Sequence, residues 1–271
     1  MKHALCLFMM MFRPACTVEG GETGKGVRSS GLARAGVLLP GDPWAVVHNP
    51  AVLSLKPETR ISASITPSLF GLKELKTMAF CGTFIVAGGI ASACIEQFGF
   101  DLYREINGTL GFGSSIATGL SGGLAFEWRR VAVKGYGRSD ALIATAGCVV
   151  DLAHDLHLGF AGHNIFGETI GIERQRLSQS TAMGISYKPL SSMLIVLEGE
   201  KDIRYSLTMK AGLEIQAFEN LVLRSGIQHD PDLVTAGFSV LYDATEFGYA
   251  ASVHPQLGWT HQIELSVRLE Q

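Results

Sequence analysis

Apolar and polar residues alternate without a break from residue 203 to residue 217. Every odd position from Ile203 to Ala217 is apolar, and every even position is polar or glycine. A strand with two different faces produces a period of two, whereas a helix does not. The stretch therefore predicts a β-strand, and it is longer than the roughly five or six residues that are usual in soluble proteins.

The same alternation recurs along most of the chain. Near the C-terminus the odd positions from Trp259 to Leu269 carry apolar side chains or His261, while the even positions are polar. Clusters of Pro, Gly, Asn and Asp separate such runs and predict turns. Together the runs predict about fourteen strands. We expect them near residues 60–67, 74–84, 88–97, 103–115, 119–133, 139–150, 156–164, 180–188, 192–199, 203–217, 220–228, 233–242, 245–253 and 258–269.

The uncharged stretch from Met78 to Ile95 has two interpretations. It is long enough for a membrane helix. However, Gly82, Gly88 and Gly89 interrupt it, and Ala87 with the two following glycines is typical of a hairpin turn rather than a helix centre. We therefore predict two strands that turn here.

Strand length and composition favour a barrel in a membrane over a soluble sandwich. Strands of about ten residues can cross a bilayer, and polar faces rich in Gly, Ser and Thr are typical of a barrel interior. The chain is 47% hydrophobic and only 17% charged, with 32 glycines. The predicted fold is all-β: a closed antiparallel transmembrane β-barrel of about fourteen strands formed by residues 59–271. Its expected location is the bacterial outer membrane, with outer-membrane lipid around it.

The alternation also predicts which side chains face the lumen. The charged residues that alternate inward are Arg204, Lys210, Glu214, Glu264 and Arg268. Leu207, Met209, Leu213, Ile263, Leu265 and Val267 are expected to face lipid. Buried lumen charges should be paired. Structural pairing and a path that selects permeants are both compatible with this set.

The sequence carries no clear sign of enzymatic or nucleic-acid-binding chemistry. The formal net charge is −3 and Lys and Arg are scattered, so we expect no nucleic-acid partner. Asp155, His157 and His163 share a strand face, but the two histidines would lie about 20 Å apart, too far for one metal ion. A G-x-S-x-G nucleophile motif is lacking. We expect no catalytic residues, no metal and no cofactor, and we predict that the protein is not an enzyme.

The N-terminal residues and the cysteines bear on export. Residues 1–17, with Lys2 ahead of an apolar run, predict a secretory signal segment. In an oxidising compartment Cys81 and Cys94 have two possible states. A hairpin that turns at Ala87–Gly88 places them directly opposite each other, within reach of a disulfide. Otherwise they are free, lipid-facing thiols.

The segment ahead of the strands resembles a known family. Ser30 to Gly36 is rich in small residues, Gly41-Asp42-Pro43-Trp44-Ala45 follows, and then His48-Asn49-Pro50-Ala51-Val52-Leu53. This order resembles the amino-terminal signature of PorV/PorQ outer-membrane proteins and, more distantly, of FadL-type fatty-acid transporters. The chain departs from that pattern at His48, at Val52 and at its non-aromatic C-terminal end.

The resemblance implies that residues 18–58 fold into the barrel mouth as a plug. The plug motif would comprise Gly36, Asp42, Pro43, Trp44, Asn49, Pro50 and Ala51. The other interpretation is an ordinary turn before the first strand. A PorV/PorQ-type barrel implies a role in type IX protein secretion or surface attachment, with secreted cargo or type IX components as partners. A FadL-like barrel implies passive transport of a small hydrophobic ligand. An outer-membrane enzyme is a third, unsupported possibility.

Overall fold

The computed structural model describes residues 25–269, and these form a closed β-barrel of 14 strands. The expected signal segment, residues 1–17, and residues 18–24 lie outside the described part. The barrel strands are β1 (Arg60–Thr66), β2 (Thr77–Val86), β3 (Gly89–Phe100), β4 (Tyr103–Ala117), β5 (Leu120–Val133), β6 (Gly137–Ala153), β7 (Leu156–His163), β10 (Ser180–Leu190), β11 (Met193–Asp202), β12 (Leu207–Phe218), β13 (Leu221–His229), β14 (Leu233–Tyr242), β15 (Thr245–His254) and β16 (Gly258–Arg268). A two-stranded hairpin, β8 (Thr169–Ile170) and β9 (Gln175–Arg176), lies between β7 and β10.

Each barrel strand pairs antiparallel with its neighbours, and β1 pairs with β16 to close the sheet. Closure removes the free edges that a bilayer would leave without hydrogen-bond partners. The predicted fold class and strand count are therefore confirmed. The boundary of β12 is wrong in the prediction, because residues 203–206 form a turn and the strand starts at Leu207. Asp202 accepts a hydrogen bond from the Arg204 backbone at 2.7 Å, which ends the preceding strand although the alternation continues.

The stretch Met78–Ile95 forms the predicted hairpin, with Ala87 and Gly88 between β2 and β3. Gly88 has a φ of +85°, which a two-residue hairpin turn favours. Cys81 lies opposite Cys94 in this register, their Cα atoms are 4.1 Å apart, and a disulfide joins them. The alternative of free, lipid-facing thiols is wrong for this pair. None of the helices in residues 25–269 is long and apolar enough to cross a bilayer.

The outer face of the barrel is an apolar belt. Leu207, Met209 and Leu265 are each 51% exposed, whereas their inward-facing neighbours Lys210 and Glu264 are each only 8% exposed. In water such a belt would be unfavourable, because each apolar side chain stays in contact with solvent. Lipid removes that cost, as in other transmembrane barrels.

We expect Leu265→Arg to destabilise the barrel in lipid by about 2–4 kcal/mol if the residue lies at mid-bilayer depth, because the charge would replace a lipid-facing side chain on β16. The measurement is the free energy of unfolding in lipid vesicles by denaturant titration. Leu257→Arg is the matched control, since Leu257 is 52% exposed in the turn before the same strand. Equal effects of the two changes would contradict the lipid-facing assignment.

The two ends of the barrel differ. At one end, six connections consist of two residues each, and β1 begins and β16 finishes at the same end. We call it the turn end. The opposite end, the loop end, carries the longest connections, residues 67–76 and 164–179. Short periplasmic turns and longer external loops are typical of outer-membrane barrels.

Candidate functional site: the filled lumen

The described residues before β1 lie inside the barrel. We call residues 25–58 the lumen segment. It contains two short α-helices, α1 (Val27–Gly31) and α2 (Ala45–His48), and a 3-10 helix, Pro50–Ser54. Many of its side chains are almost completely buried, although the segment is far too short to form a core of its own. Its burial therefore comes from the barrel wall.

Asn49 shows how the local sequence shapes the segment. Pro50 disfavours helical backbone at the preceding residue, and Asn49 is extended with a φ of −151°. Its side-chain oxygen accepts a hydrogen bond from the Ala51 backbone at 3.1 Å and so caps the 3-10 helix. Its amide donates to the Val37 carbonyl at 3.0 Å. Asn49 thus holds two parts of the segment together.

Other motif residues pack within the segment. A side chain at Gly36 would overlap the His48 ring, with a Cβ only 2.4 Å from the ring carbon. Burial lowers the pKa of His48 to about 4, so the ring is neutral at neutral pH. Asp42 accepts a hydrogen bond from the Trp44 backbone N–H at 3.0 Å. Burial raises the pKa of Asp42, although the positive charge of Arg28 acts to lower it.

Glycines on the inner face of the wall make room for the segment. A Cβ at Gly123 would lie 2.4 Å from the backbone of Pro50 and Ala51, and one at Gly147 would lie 1.9 Å from the Asn49 side chain. Similar close approaches occur at Gly111, Gly113, Gly159, Gly212 and Gly226. The sequence indicated a glycine-rich inner face, but periodicity alone could not show that a chain passes against these positions.

A first charge cluster joins the segment to the wall near the turn end. Arg28 forms two hydrogen bonds of 2.8 Å with Glu214 on β12. Arg224 on β13 lies 2.7 Å from the same carboxylate and 3.5 Å from Glu246. Glu246 in turn pairs with Arg60 at 3.0 Å. We call these five residues the turn-end charge cluster.

A second cluster lies on β11 and β12. Glu198 accepts hydrogen bonds from the backbones of Gly36 and Val37, each at 2.8 Å. Lys210 pairs with Glu198 at 2.8 Å and with Glu200 at 2.7 Å, and it reaches the Arg34 carbonyl at 3.3 Å. A carboxylate that accepts two backbone N–H groups forms strong, charge-assisted hydrogen bonds. This cluster therefore fixes the middle of the segment.

The remaining predicted lumen charges lie at different depths. Glu264 accepts from the Val27 backbone at 2.8 Å. Arg268 is the last residue of β16 and lies 3.5 Å from Glu58 at the turn end. Arg204 does not lie on a strand: it occupies the turn at the loop end, 3.0 Å from Asp202 and over the Tyr205 ring. The prediction that Arg204 lies on a strand is therefore wrong, although the residue still lines the lumen at the loop end.

Several wall residues that hold the segment, directly or through another wall side chain, were missed from the sequence. They are Glu198, Glu200, Arg224, Glu246 and Thr235. Thr235 accepts from Ala33 and donates to the Gly31 carbonyl, both at 2.9 Å. Glu198 shares the parity of Glu200 and Arg224 that of Gln228, and Leu197 and Leu223 precede them on the opposite parity, so parity could have placed them inward. Their contact with the segment could not have been read from parity.

Apolar contacts dominate the other side of the segment. Trp44, Val46 and Leu53 pack with buried wall residues of β2 to β10, among them Ile90, Ala125, Val149, Ala161 and Ala182. We call this contact the apolar seam. It runs between the lumen segment and the wall, from Ala125 and Ala182 to Ile90 near the turn end.

Two cavities flank the segment. The cavity at the loop end has a volume of about 420 Å³, with Val37, Val46 and Val47 in its floor. Its walls carry charges of both signs, including Glu127, Arg129, Glu200 and Lys210. The cavity at the turn end has a volume of about 250 Å³ and contains the turn-end charge cluster. The lumen segment separates the two.

Midway between the two ends of the described barrel, neighbouring strands pair without a register shift, so the wall has no gap there. Register irregularities occur in the pairs β4–β5, β6–β7, β10–β11 and β12–β13, and each lies beside a two-residue turn at the turn end. A passage through this barrel would therefore follow the lumen, past the lumen segment.

No protein-family model and no curated protein matches the chain. Solved structures do. The Pseudomonas putida toluene transporter TodX is 11% identical with a TM-score of 0.70, over 92% of this chain and 99% of that chain. The Ralstonia pickettii toluene transporter TbuX is 12% identical with a TM-score of 0.69, over 92% and 99%. A Pseudomonas aeruginosa FadL homologue is 12% identical with a TM-score of 0.63, over 90% and 98%.

At these identities the likeness shows a shared fold. The fold is the one that the FadL-like part of the sequence resemblance implies, and the likeness does not show the PorV/PorQ part. The closed 14-strand barrel with its apolar outer belt fits the bacterial outer membrane, as the sequence predicts. The chain therefore has the fold of FadL-like outer-membrane barrels.

Proposed function

We propose that this barrel mediates passive transport of small hydrophobic molecules across the outer membrane, with the lumen segment as a plug that moves to admit them. The apolar seam carries the proposal. It begins at the floor of the loop-end cavity and ends near Leu53 and Ile90, beside the turn end. A permeant that entered between the segment and β2–β10 would meet apolar side chains along that course.

The two sides of the plug have different roles in this proposal. The charge clusters on β11 to β15 and the hydrogen bonds of Thr235 attach one side of the segment directionally. The seam side depends on apolar contacts, which are non-directional. An apolar permeant that displaces a side chain can make equivalent contacts with the wall. Movement is therefore expected on the seam side.

The shared fold with named toluene transporters also supports transport. The secretion role that a PorV/PorQ-type barrel would have lacks a supporting observation among the described residues and the comparisons. We therefore favour transport of a hydrophobic ligand over a role in type IX secretion.

Locking the plug tests the proposal. A Cβ at Gly184 would lie 3.6 Å from the Cβ of Val37, a separation that a disulfide spans. In the Val37→Cys/Gly184→Cys variant, we expect oxidation to reduce uptake of the apolar dye N-phenylnaphthylamine to the level of cells without the barrel. Reduction should restore uptake. The readout is the initial rate of fluorescence increase in cells with an intact outer membrane.

The matched control is Val37→Ser/Gly184→Ser, which changes the same positions without forming a cross-link. Wild-type barrel under the same reductant controls for the Cys81–Cys94 disulfide. Uptake by the oxidised double-cysteine variant at the wild-type rate would show that the segment does not gate the passage. A wild-type rate equal to that of cells without the barrel would refute transport of this probe class.

A further inference from the structure

Basic side chains form a row on the lipid-facing side of the barrel at its loop end. Arg104 on β4 and Arg138 on β6 both lie opposite Ala132 on β5, one on each side. On β3, Gly99 lies opposite Arg104. The backbone N–H of Gly99 donates a hydrogen bond to the carbonyl of Lys76, the residue just ahead of β2. Lys76, Arg104 and Arg138 are thus at one height, with only Gly99 and Ala132 between them.

The strand alternation directs these three side chains outward. Their neighbours Thr77, Glu105 and Ser139 face the barrel interior and are less exposed, while Lys76, Arg104 and Arg138 are exposed. Alternate strands are spaced by about 10 Å. The small residues between them leave recesses beside each cation, open towards the lipid.

Arg130 lies one step lower on β5, between the outer row and the apolar belt. Its guanidinium is 4.7 Å from the centre of the Trp128 ring and 2.7 Å from Asp140. Below it, Leu110, Phe126 and Leu142 face lipid and are 50–66% exposed. Trp side chains typically lie at the membrane interface. The row above Trp128 is therefore at headgroup height.

The positive charge is concentrated in this sector. Two carboxylates lie nearby. Asp140 forms an ion pair with Arg130. The Asp101 side chain is 96% exposed and its carboxylate lies 4.0 Å from the Arg104 guanidinium. On the other barrel strands of the described chain, Lys201 is the outward-facing Lys or Arg near the loop end, and it contacts the Tyr205 carbonyl. The sector from β2 to β6 thus differs from the rest of the rim.

We propose that Lys76, Arg104 and Arg138 form a binding site for the phosphorylated headgroup of a membrane glycolipid at the external rim, while Arg130 stays paired with Asp140 at its lower edge. Guanidinium groups bind phosphate in paired hydrogen bonds, and basic side chains near a bilayer surface attract anionic lipids. A headgroup with two phosphates could contact Arg104 and Arg138 at the same time, because only Ala132 lies between these two residues. The site depends on the orientation of the loop end towards the external leaflet and is independent of transport through the lumen.

The test uses the complete folded barrel in neutral detergent and native mass spectrometry. The probes are bis-phosphorylated lipid A, the same lipid without its phosphates, and phosphatidylcholine. We expect the wild-type barrel to retain lipid A and to retain the other two much more weakly. The Arg104→Gln/Arg138→Gln variant should bind lipid A about 30-fold less strongly, since each of the two basic residues near a bilayer surface contributes about 1 kcal/mol and every 1.4 kcal/mol is tenfold in affinity.

Lys201→Gln is the matched control, because it removes an outward-facing cation from the same rim outside the proposed site. It should leave lipid A binding unchanged. Equal binding by wild type and the double-glutamine variant would overturn the proposal, and so would an equal loss in Lys201→Gln. Retention of the phosphate-free lipid as strongly as lipid A would show that acyl chains, not the basic row, hold the lipid. Thermal midpoints verify that each variant is folded.

Discussion

Leucine in place of Gly123 should open the barrel to ions. Gly123 faces the lumen on β5, and a Cβ there would lie 2.4 Å from the backbone of Pro50 and Ala51. Backbone atoms cannot turn aside as a flexible side chain can, so the 3-10 helix Pro50–Ser54 must leave its place against the wall. A lumen of 14 strands lies between small barrels filled by side chains and larger ones that hold an aqueous channel. We expect resolvable current steps in planar bilayers, where the wild-type barrel stays closed or nearly so.

Gly122→Leu is the matched control for this change. Gly122 is the preceding residue on the same strand and faces outward, and its added side chain would meet only the flexible end of Ile116. That variant should conduct like wild type. The inward substitution should also lower stability, because overpacking costs about 1–3 kcal/mol. A Gly123→Leu barrel that is folded and as closed as wild type would show that the segment does not block the lumen.

The barrel itself could be predicted from sequence because strand alternation is a local property. Ile203 to Ala217 and Trp259 to Leu269 alternate over lengths that suit a bilayer, and inward or outward facing follows from parity alone. The exception is the start of β12. Arg204 keeps the parity of β12, but Asp202 caps the local backbone and forms a turn, so the strand starts only at Leu207.

The contents of the lumen were less accessible to sequence reasoning. Helices of four or five residues are too short to give a periodic signal. Which wall residue meets which part of the segment depends on the stagger of the closed sheet, a property of all 14 strands together. Glu198 and Arg224 were therefore not singled out from the sequence, and the backbone groups that bond Glu198 and the carboxylate that bonds Arg224 emerged only from the structure.

The two kinds of lumen contact respond differently to substitution. Contacts along the apolar seam tolerate replacement of one apolar group by another, while a buried ion pair does not tolerate loss of one partner. The turn-end charge cluster should therefore be the part of the plug attachment that is most sensitive to a single substitution. Glu214 is the critical member, because its carboxylate bonds both Arg28 and Arg224.

Glu214→Gln should destabilise the barrel by about 3 kcal/mol, because it leaves two arginines close together without the carboxylate between them. The Arg224 side chain is only 3% exposed, so water cannot replace the lost charge there. Denaturant midpoints in lipid vesicles measure the effect. Glu219→Gln, in the exposed turn after the same strand, should change stability by less than about 0.5 kcal/mol.

A double-mutant cycle then assigns the loss to the ion pair. Arg28→Met should be costly in the wild-type barrel, because it breaks the two 2.8 Å hydrogen bonds to Glu214. In the Glu214→Gln background the same change should cost less, because the carboxylate is already gone and one of the two facing cations is removed. Additive effects of the two changes would mean that Arg28 and Glu214 contribute separately. In that case the directional attachment of the lumen segment would have to come from Glu198 and Thr235 instead.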